Sequence, residues 1–190
     1  MDFGLTKQEL RAIYKEKRMA LSQNEVNFLS EKIFKQFILQ FNIAENQRVN
    51  IFLPIKKFNE INTWIFIDYF FEKNIRVFVP KIRDKNLVSL EIFPDSEFEI
   101  NHWGISEPIN NSSYNGIFDY IITPLLYCDS SGNRIGYGKG FYDRFFEINK
   151  NVKKIGLNYF KPKEKITDIS GFDIPLDGLI IPDKYYSYYK

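Results

Sequence analysis

The chain has 190 residues, 44% of them hydrophobic, and a formal net charge of +2 from 26 basic and 24 acidic side chains. That length supports one core and leaves too little for two comfortable domains, so residues 1–190 are expected to form a single domain. The near balance of charge argues against a nucleic-acid binder, which would carry a basic face or stripe. A single cysteine, Cys128, rules out an internal disulfide or a thiolate metal cluster, and a single histidine, His102, rules out two-His metal motifs.

Asp2, Lys7, Glu9 and Arg11 crowd the N-terminus with no apolar run before them, and no stretch approaches the ~18 apolar residues of a membrane span. A soluble, cytoplasmic, monomeric protein is the expectation. Thr6-Lys7-Gln8-Glu9 reads as a capping box opening a first helix, and Ser22-Gln23-Asn24-Glu25 as another. Behind the second, Val26, Leu29, Ile33, Phe34, Phe37, Ile38 and Phe41 recur at helical spacing and predict a long amphipathic helix.

The pattern then turns to strands. Val49 to Leu53, Ile75 to Val79, Asp119 to Thr123 and Leu179 to Ile181 are apolar runs that each stop at a proline, which cannot donate to a ladder. A helix is predicted from Thr63 to Lys73, and further strands over Leu87 to Phe93 and Lys154 to Leu157. Strands alternating with helices predict an α/β fold with a mostly parallel central sheet, covered by helices on both faces. Ligands of such sheets bind beyond the carboxyl ends of the strands. Asn101 to Gly116, rich in Asn, Ser, Pro and Gly, is expected to be a long surface loop.

The most unusual segment runs from Gly132 to Arg144, with four of the ten glycines falling within nine residues. It precedes a predicted helix, Phe141 to Ile148. Clustered glycines let backbone N–H groups approach an anion, and a following helix start adds partial positive charge. Arg134, Lys139 and Arg144 supply cations, and Asp143 supplies a hard oxygen for a phosphate-bound Mg²⁺. Neither a Walker A loop nor a dinucleotide fingerprint fits, because Gly138-Lys139 is followed by Gly140 and the spacing is Gly-x-Gly-x-Gly. Read alone, the segment fits a phosphate cradle or a flexible turn equally well.

Arg134-Ile-Gly-Tyr-Gly-Lys-Gly-Phe-Tyr-Asp143 resembles the Arg-Leu-Gly-x-Gly-x-Gly-Tyr-Tyr-Asp signature of the 5-formyltetrahydrofolate cyclo-ligase family. Lys7-Gln8-Glu9-Leu10-Arg11 resembles that family's opening helix, and Glu60-Ile61-Asn62-Thr63 its Glu-x-x-Thr helix start. The resemblance implies ATP-dependent closure of 5-formyltetrahydrofolate to 5,10-methenyltetrahydrofolate. It also implies site residues. Lys7, Arg11 and the run Arg134, Ile135, Gly136, Tyr137, Gly138, Lys139, Gly140, Phe141 and Tyr142 would bind ATP. Arg134, Lys139 and Tyr142 would serve catalysis. Leu53, Glu60, Trp103 and Tyr142 would meet the folate, and Asp143 with Asp177 would hold Mg²⁺. Lys56 and Lys57 could meet a polyglutamate tail. The chain departs from the pattern at Phe172-Asp173, where many members carry His-Asp. Another phosphotransferase on the same loop, or a binding module without turnover, is the competing expectation; Cys128 reads as a packed residue rather than a nucleophile.

Overall fold

The protein is described here from a computed structural model covering residues 4–101, 104–110 and 112–188. It opens with helices α1 (Lys7–Met19) and α2 (Gln23–Gln40). Both capping boxes form: Thr6 and Ser22 accept from the N–H of Glu9 and Glu25, whose carboxylates accept from the cap N–H at 2.8 Å. There follow β1 (Arg48–Ile51), α3 (Trp64–Glu72), β2 (Arg76–Arg83), β3 (Asn86–Ile92), β4 (Phe98–Ile100), β5 (Ser106–Pro108) and β6 (Ser113–Tyr114). The chain continues through β7 (Tyr120–Pro124), β8 (Tyr127–Cys128), β9 (Arg134–Ile135), α4 (Phe141–Ile148), β10 (Lys153–Leu157), β11 (Gly178–Ile181) and β12 (Lys184–Ser187).

Eight strands form one sheet in the order β12-β11-β10-β7-β1-β2-β3-β6. The central five, β11 to β2, are parallel, while β12, β3 and β6 join antiparallel at the edges. Strand side chains alternate between faces, and the core divides accordingly. Val77, Val79, Ile122 and Ile180 pack with Ile33, Phe37, Phe66 and Phe70 of α2 and α3 on one face. Phe78, Ile121, Leu179 and Ile181 pack with Phe145 and Phe146 of α4 on the other. Helices thus cover both faces, as the alternation of elements predicts. A third cluster joins Leu10 and Tyr14 of α1 to Tyr127 and Ile135 of the β8–β9 hairpin, with Tyr14 stacked on Tyr127 at 4.2 Å.

Two local expectations are corrected. β2 does not stop at Pro80 but runs on to Arg83 as one arm of a hairpin with β3. Its parallel pairing with β1 ends at Phe78, so the proline lies where no β1 carbonyl calls for a donor. The segment from Asn101 to Gly116 is not all loop, since β5 pairs with β4 and β6 extends the main sheet. His102 and Trp103 lie outside the described residues.

Candidate active site

A cavity of about 670 Å³ opens at the carboxyl ends of β1, β2 and β7, bordered by the glycine segment, α4, α1 and the β2–β3 hairpin. This is the edge where a parallel sheet leaves its strand ends unclosed. Phe52, Leu53, Pro80 and Pro124 make its floor, and Lys7 and Arg11 enter from α1.

The glycine segment reaches the cavity because β8 and β9 form a tight hairpin. Asp129 Oδ1 accepts from the N–H of Ser131 and of Asn133, at 2.9 and 3.0 Å, closing the turn. Past β9, Gly138 and Gly140 adopt φ of +85° and +65°. Gly140 is the N-cap of α4 and has no side chain to cap the first N–H groups, which leaves them for an anion at the cavity wall. A Cβ on Gly138 would come within 3.3 Å of the Arg11 guanidinium, whose Nε donates to Gly136 O at 2.9 Å. Gly138→Ala is therefore expected to cost about 1 kcal/mol of stability and to raise KM for ATP. Thermal unfolding and steady-state kinetics check both effects.

The cations differ in their engagement. Lys139 is exposed at the cavity. Lys7 Nζ is paired with Asp173. Arg144 donates to Lys85 O at 2.6 Å and Lys139 O at 3.2 Å, tying α4 to the β2–β3 turn and to the glycine segment. Arg134 is the most enclosed, its side chain 7% exposed. It donates to Ile174 O and, at 2.7 Å, to Asp143 Oδ1, which also accepts from Ile174 N–H at 3.2 Å. Burial lowers the pKa of Arg134, and Asp143 opposes that shift. Arg134 thereby braces Asp143 and residue 174.

Glu60 lines the same cavity and is buried. Its Oε2 accepts from Ile55 N–H and its Oε1 from the Tyr137 hydroxyl, both at 2.8 Å. Asn59 reaches this position by a left-handed turn, φ +50°, with its amide donating to Leu21 O at 2.8 Å. Burial raises the Glu60 pKa, opposed by Arg18, the Ile55 N–H and Tyr137. Tyr142 also lines the cavity, and its hydroxyl is buried without a hydrogen-bond partner among the described residues. Burial raises its pKa, so the phenol stays a neutral donor.

The 5-formyltetrahydrofolate cyclo-ligase family model matches residues 4–167, which include α1, Glu60 and the glycine segment. The chain belongs to that family. It is 32% identical over 184 residues to a 5-formyltetrahydrofolate cyclo-ligase of Mycoplasma pneumoniae, covering 95% of this chain and 100% of that one. It is 28% identical to a probable cyclo-ligase of Schizosaccharomyces pombe, covering 95% and 97%. The NMR structure of the 5,10-methenyltetrahydrofolate synthetase of Aquifex aeolicus superposes with a TM-score of 0.81 at 25% identity, covering 98% of this chain and 94% of that one.

The cyclo-ligase site brings together most of the residues that the sequence singles out. Lys7, Arg11, Leu53, Glu60 and the whole run Arg134 to Asp143 line one cavity. Trp103 is outside the described residues. Asp177 is not brought there. It precedes β11 at the amino-terminal edge of the sheet, where its Oδ2 accepts from Lys154 N–H at 2.7 Å and pairs with Lys154 Nζ at 3.0 Å. Besides Glu60 and Glu107, the carboxylates that share the cavity with Asp143 are Asp173, on the segment leading to β11, and Glu147, one turn along α4. Asp143 fits a Mg²⁺ ion as a single ligand, because both its hydrogen bonds among the described residues fall on Oδ1 and its side chain is 29% exposed. Mg²⁺ commonly takes one or two carboxylates together with substrate phosphates and water. Cys128 is buried against Tyr188, and its thiol is pushed up to about 12 by burial, which removes it as a nucleophile.

Proposed function

We propose that this chain couples ATP cleavage to ring closure of 5-formyltetrahydrofolate, releasing 5,10-methenyltetrahydrofolate, ADP and phosphate. The carrying observation is that one cavity is lined both by the glycine segment with the α4 start and by the buried carboxylate of Glu60. A phosphoryl donor and a polar heterocycle therefore have seats facing a common volume. Its size suits a ligand site.

In this reading the phosphates lie on the α4 N-terminus and the backbone of Gly136 to Gly140. Lys7, Arg11 and Lys139 provide the neutralising charge. The formyl oxygen attacks the terminal phosphorus and ADP departs. N10 then attacks the activated carbon, loses its proton, and phosphate leaves with the oxygen. The chain's part is positioning and charge stabilisation. Asp143 would hold Mg²⁺, which adds charge neutralisation at the phosphates. Glu60 accepts N–H donors of the pterin edge, and the Tyr142 phenol donates to the oxygen side of the reacting group. Lys56 and Lys57 are the candidates for a glutamate tail. We further read the protein as a cytoplasmic monomer, which size-exclusion chromatography tests.

The test is a spectrophotometric assay of methenyltetrahydrofolate formation. Signal is expected only with 5-formyltetrahydrofolate, ATP and Mg²⁺ together, and its absence from folded, ATP-binding protein would remove the reading. Lys139→Ala is expected to raise KM for ATP about 10–100-fold, the loss of one hydrogen bond to a charged group. Tm should stay unchanged, since the side chain is exposed.

A further inference from the structure

Arg18 sits in the last turn of α1, yet it is only 4% exposed. One end of its guanidinium donates to the Tyr137 hydroxyl, and that hydroxyl in turn donates to Glu60 Oε1 at 2.8 Å. The guanidinium also lies 5.5 Å from the Tyr137 ring centroid, while Phe58 tilts against the same ring at 5.7 Å. The phenol is held on two sides and serves as a bridge between a buried cation and a buried carboxylate.

The other edge of the guanidinium is unspent. Arg18 Nε is buried without a hydrogen-bond partner among the described residues, and so is Asn158 Nδ2. Both residues line a second void of about 10 Å³ behind the main cavity, walled also by Glu60 and Tyr159. That volume is the size of one water, and a water needs two to four polar partners to stay. Two orphaned donors and a carboxylate in its wall meet that requirement.

We propose that Arg18 is a positioning residue for Glu60, fixing the carboxylate's charge and direction through Tyr137 and through one water seated in the void between them. Arg18 touches no substrate in this arrangement, and the inference rests on Glu60 being the folate contact. A carboxylate in a desolvated wall tends to take up a proton. Among the described residues, the titratable groups that face Glu60 are Arg18 of α1, Tyr137 of the glycine segment, Tyr142 of α4 and Tyr159 beyond β10. Arg18 is the single cation among them. Losing it lets Glu60 protonate, and a neutral carboxyl no longer accepts two charge-assisted bonds from the pterin edge.

The test is steady-state kinetics of Arg18→Met, Arg18→Lys and Tyr137→Phe across about pH 6 to 9, which lies above the usual carboxyl range and covers that of a carboxyl raised by burial. For Arg18→Met, KM for 5-formyltetrahydrofolate is expected to rise about tenfold at neutral pH and to fall again as pH increases. KM for ATP should not move. Arg18→Lys should restore much of the effect, and Tyr137→Phe should show a smaller rise in a variant that stays folded with a Tm a few degrees lower. Should Arg18→Met fail to fold, Tyr137→Phe and Arg18→Lys carry the test. A folate KM that is unchanged or independent of pH in the folded variants overturns the proposal, as does an equal rise in both KM values. The parent reading fails separately, by an inactive wild type or by Glu60→Gln with an unchanged folate KM.

Discussion

Asp143→Asn is expected to lower turnover about 10²–10³-fold at saturating ATP and Mg²⁺, the scale on which one charge-stabilising group acts in a transition state. The asparagine keeps the shape and an oxygen for Arg134 and for Ile174 N–H, so Tm should fall by only a few degrees. Asp143→Ala is a different experiment. From sequence alone Asp143 reads as a metal ligand whose removal would leave the fold intact. The structure instead shows it paired at 2.7 Å with an Arg134 side chain that is 7% exposed. Removing one partner of such a pair strands the other charge, at a cost of about 3 kcal/mol. For a chain of this size that corresponds to roughly 10 °C in Tm. Thermal denaturation beside single-turnover kinetics separates the two effects. An Asn variant with full turnover would take Asp143 out of metal binding. An Ala variant with unchanged Tm would show that the Arg134 pair contributes nothing to stability.

Legibility in the sequence followed the range of the forces involved. The capping boxes at Thr6 and Ser22 and the apolar stripe of α2 are set by neighbours a few residues apart, and both were readable. So was the parallel core, because strands buried on both faces read as continuous apolar runs. β5 and β6 were not readable, being two or three residues long, β5 pairing only with the equally short β4 and β6 with β3, well back in the chain. The glycine segment was legible as chemistry, since density of glycine and charge is a local property. Asp177 and Asp173 show where that stops. They lie four residues apart, and no local pattern tells which faces the cavity. The chain between them descends from one edge of the sheet to the other, so Asp173 meets Lys7 while Asp177 meets Lys154. Arg18 was invisible for the same reason: one basic residue among several in α1, it differs from the others only in being enclosed. Lys7 and Arg11, which by spacing alone would pass as a solvated basic face, are drawn to the cavity by Asp173 and by Gly136 O.

Glu60→Gln is expected to raise KM for 5-formyltetrahydrofolate about 10–100-fold while leaving KM for ATP near its original value. The carboxylate is 5% exposed, and each oxygen already holds one partner, Ile55 N–H on one and the Tyr137 hydroxyl on the other. Each oxygen retains a second lone pair, so a heterocycle with paired N–H groups can bind without displacing either partner. The amide offers one acceptor and one donor. Its oxygen still accepts from Ile55 N–H and its NH₂ can donate to the Tyr137 hydroxyl, but it turns an N–H toward the incoming N–H and loses the negative charge. Glu60→Ala goes further, leaving Arg18 buried without its counter-charge, and should lose about 3 kcal/mol of stability. The Gln variant is therefore the informative one, because its fold is preserved. If both KM values rise together, Glu60 acts on the nucleotide loop through Tyr137, and folate recognition must be sought among the other cavity residues. If the folate KM alone rises, the carboxylate reads the substrate directly, and Tyr137 and Arg18 serve to hold it for that purpose.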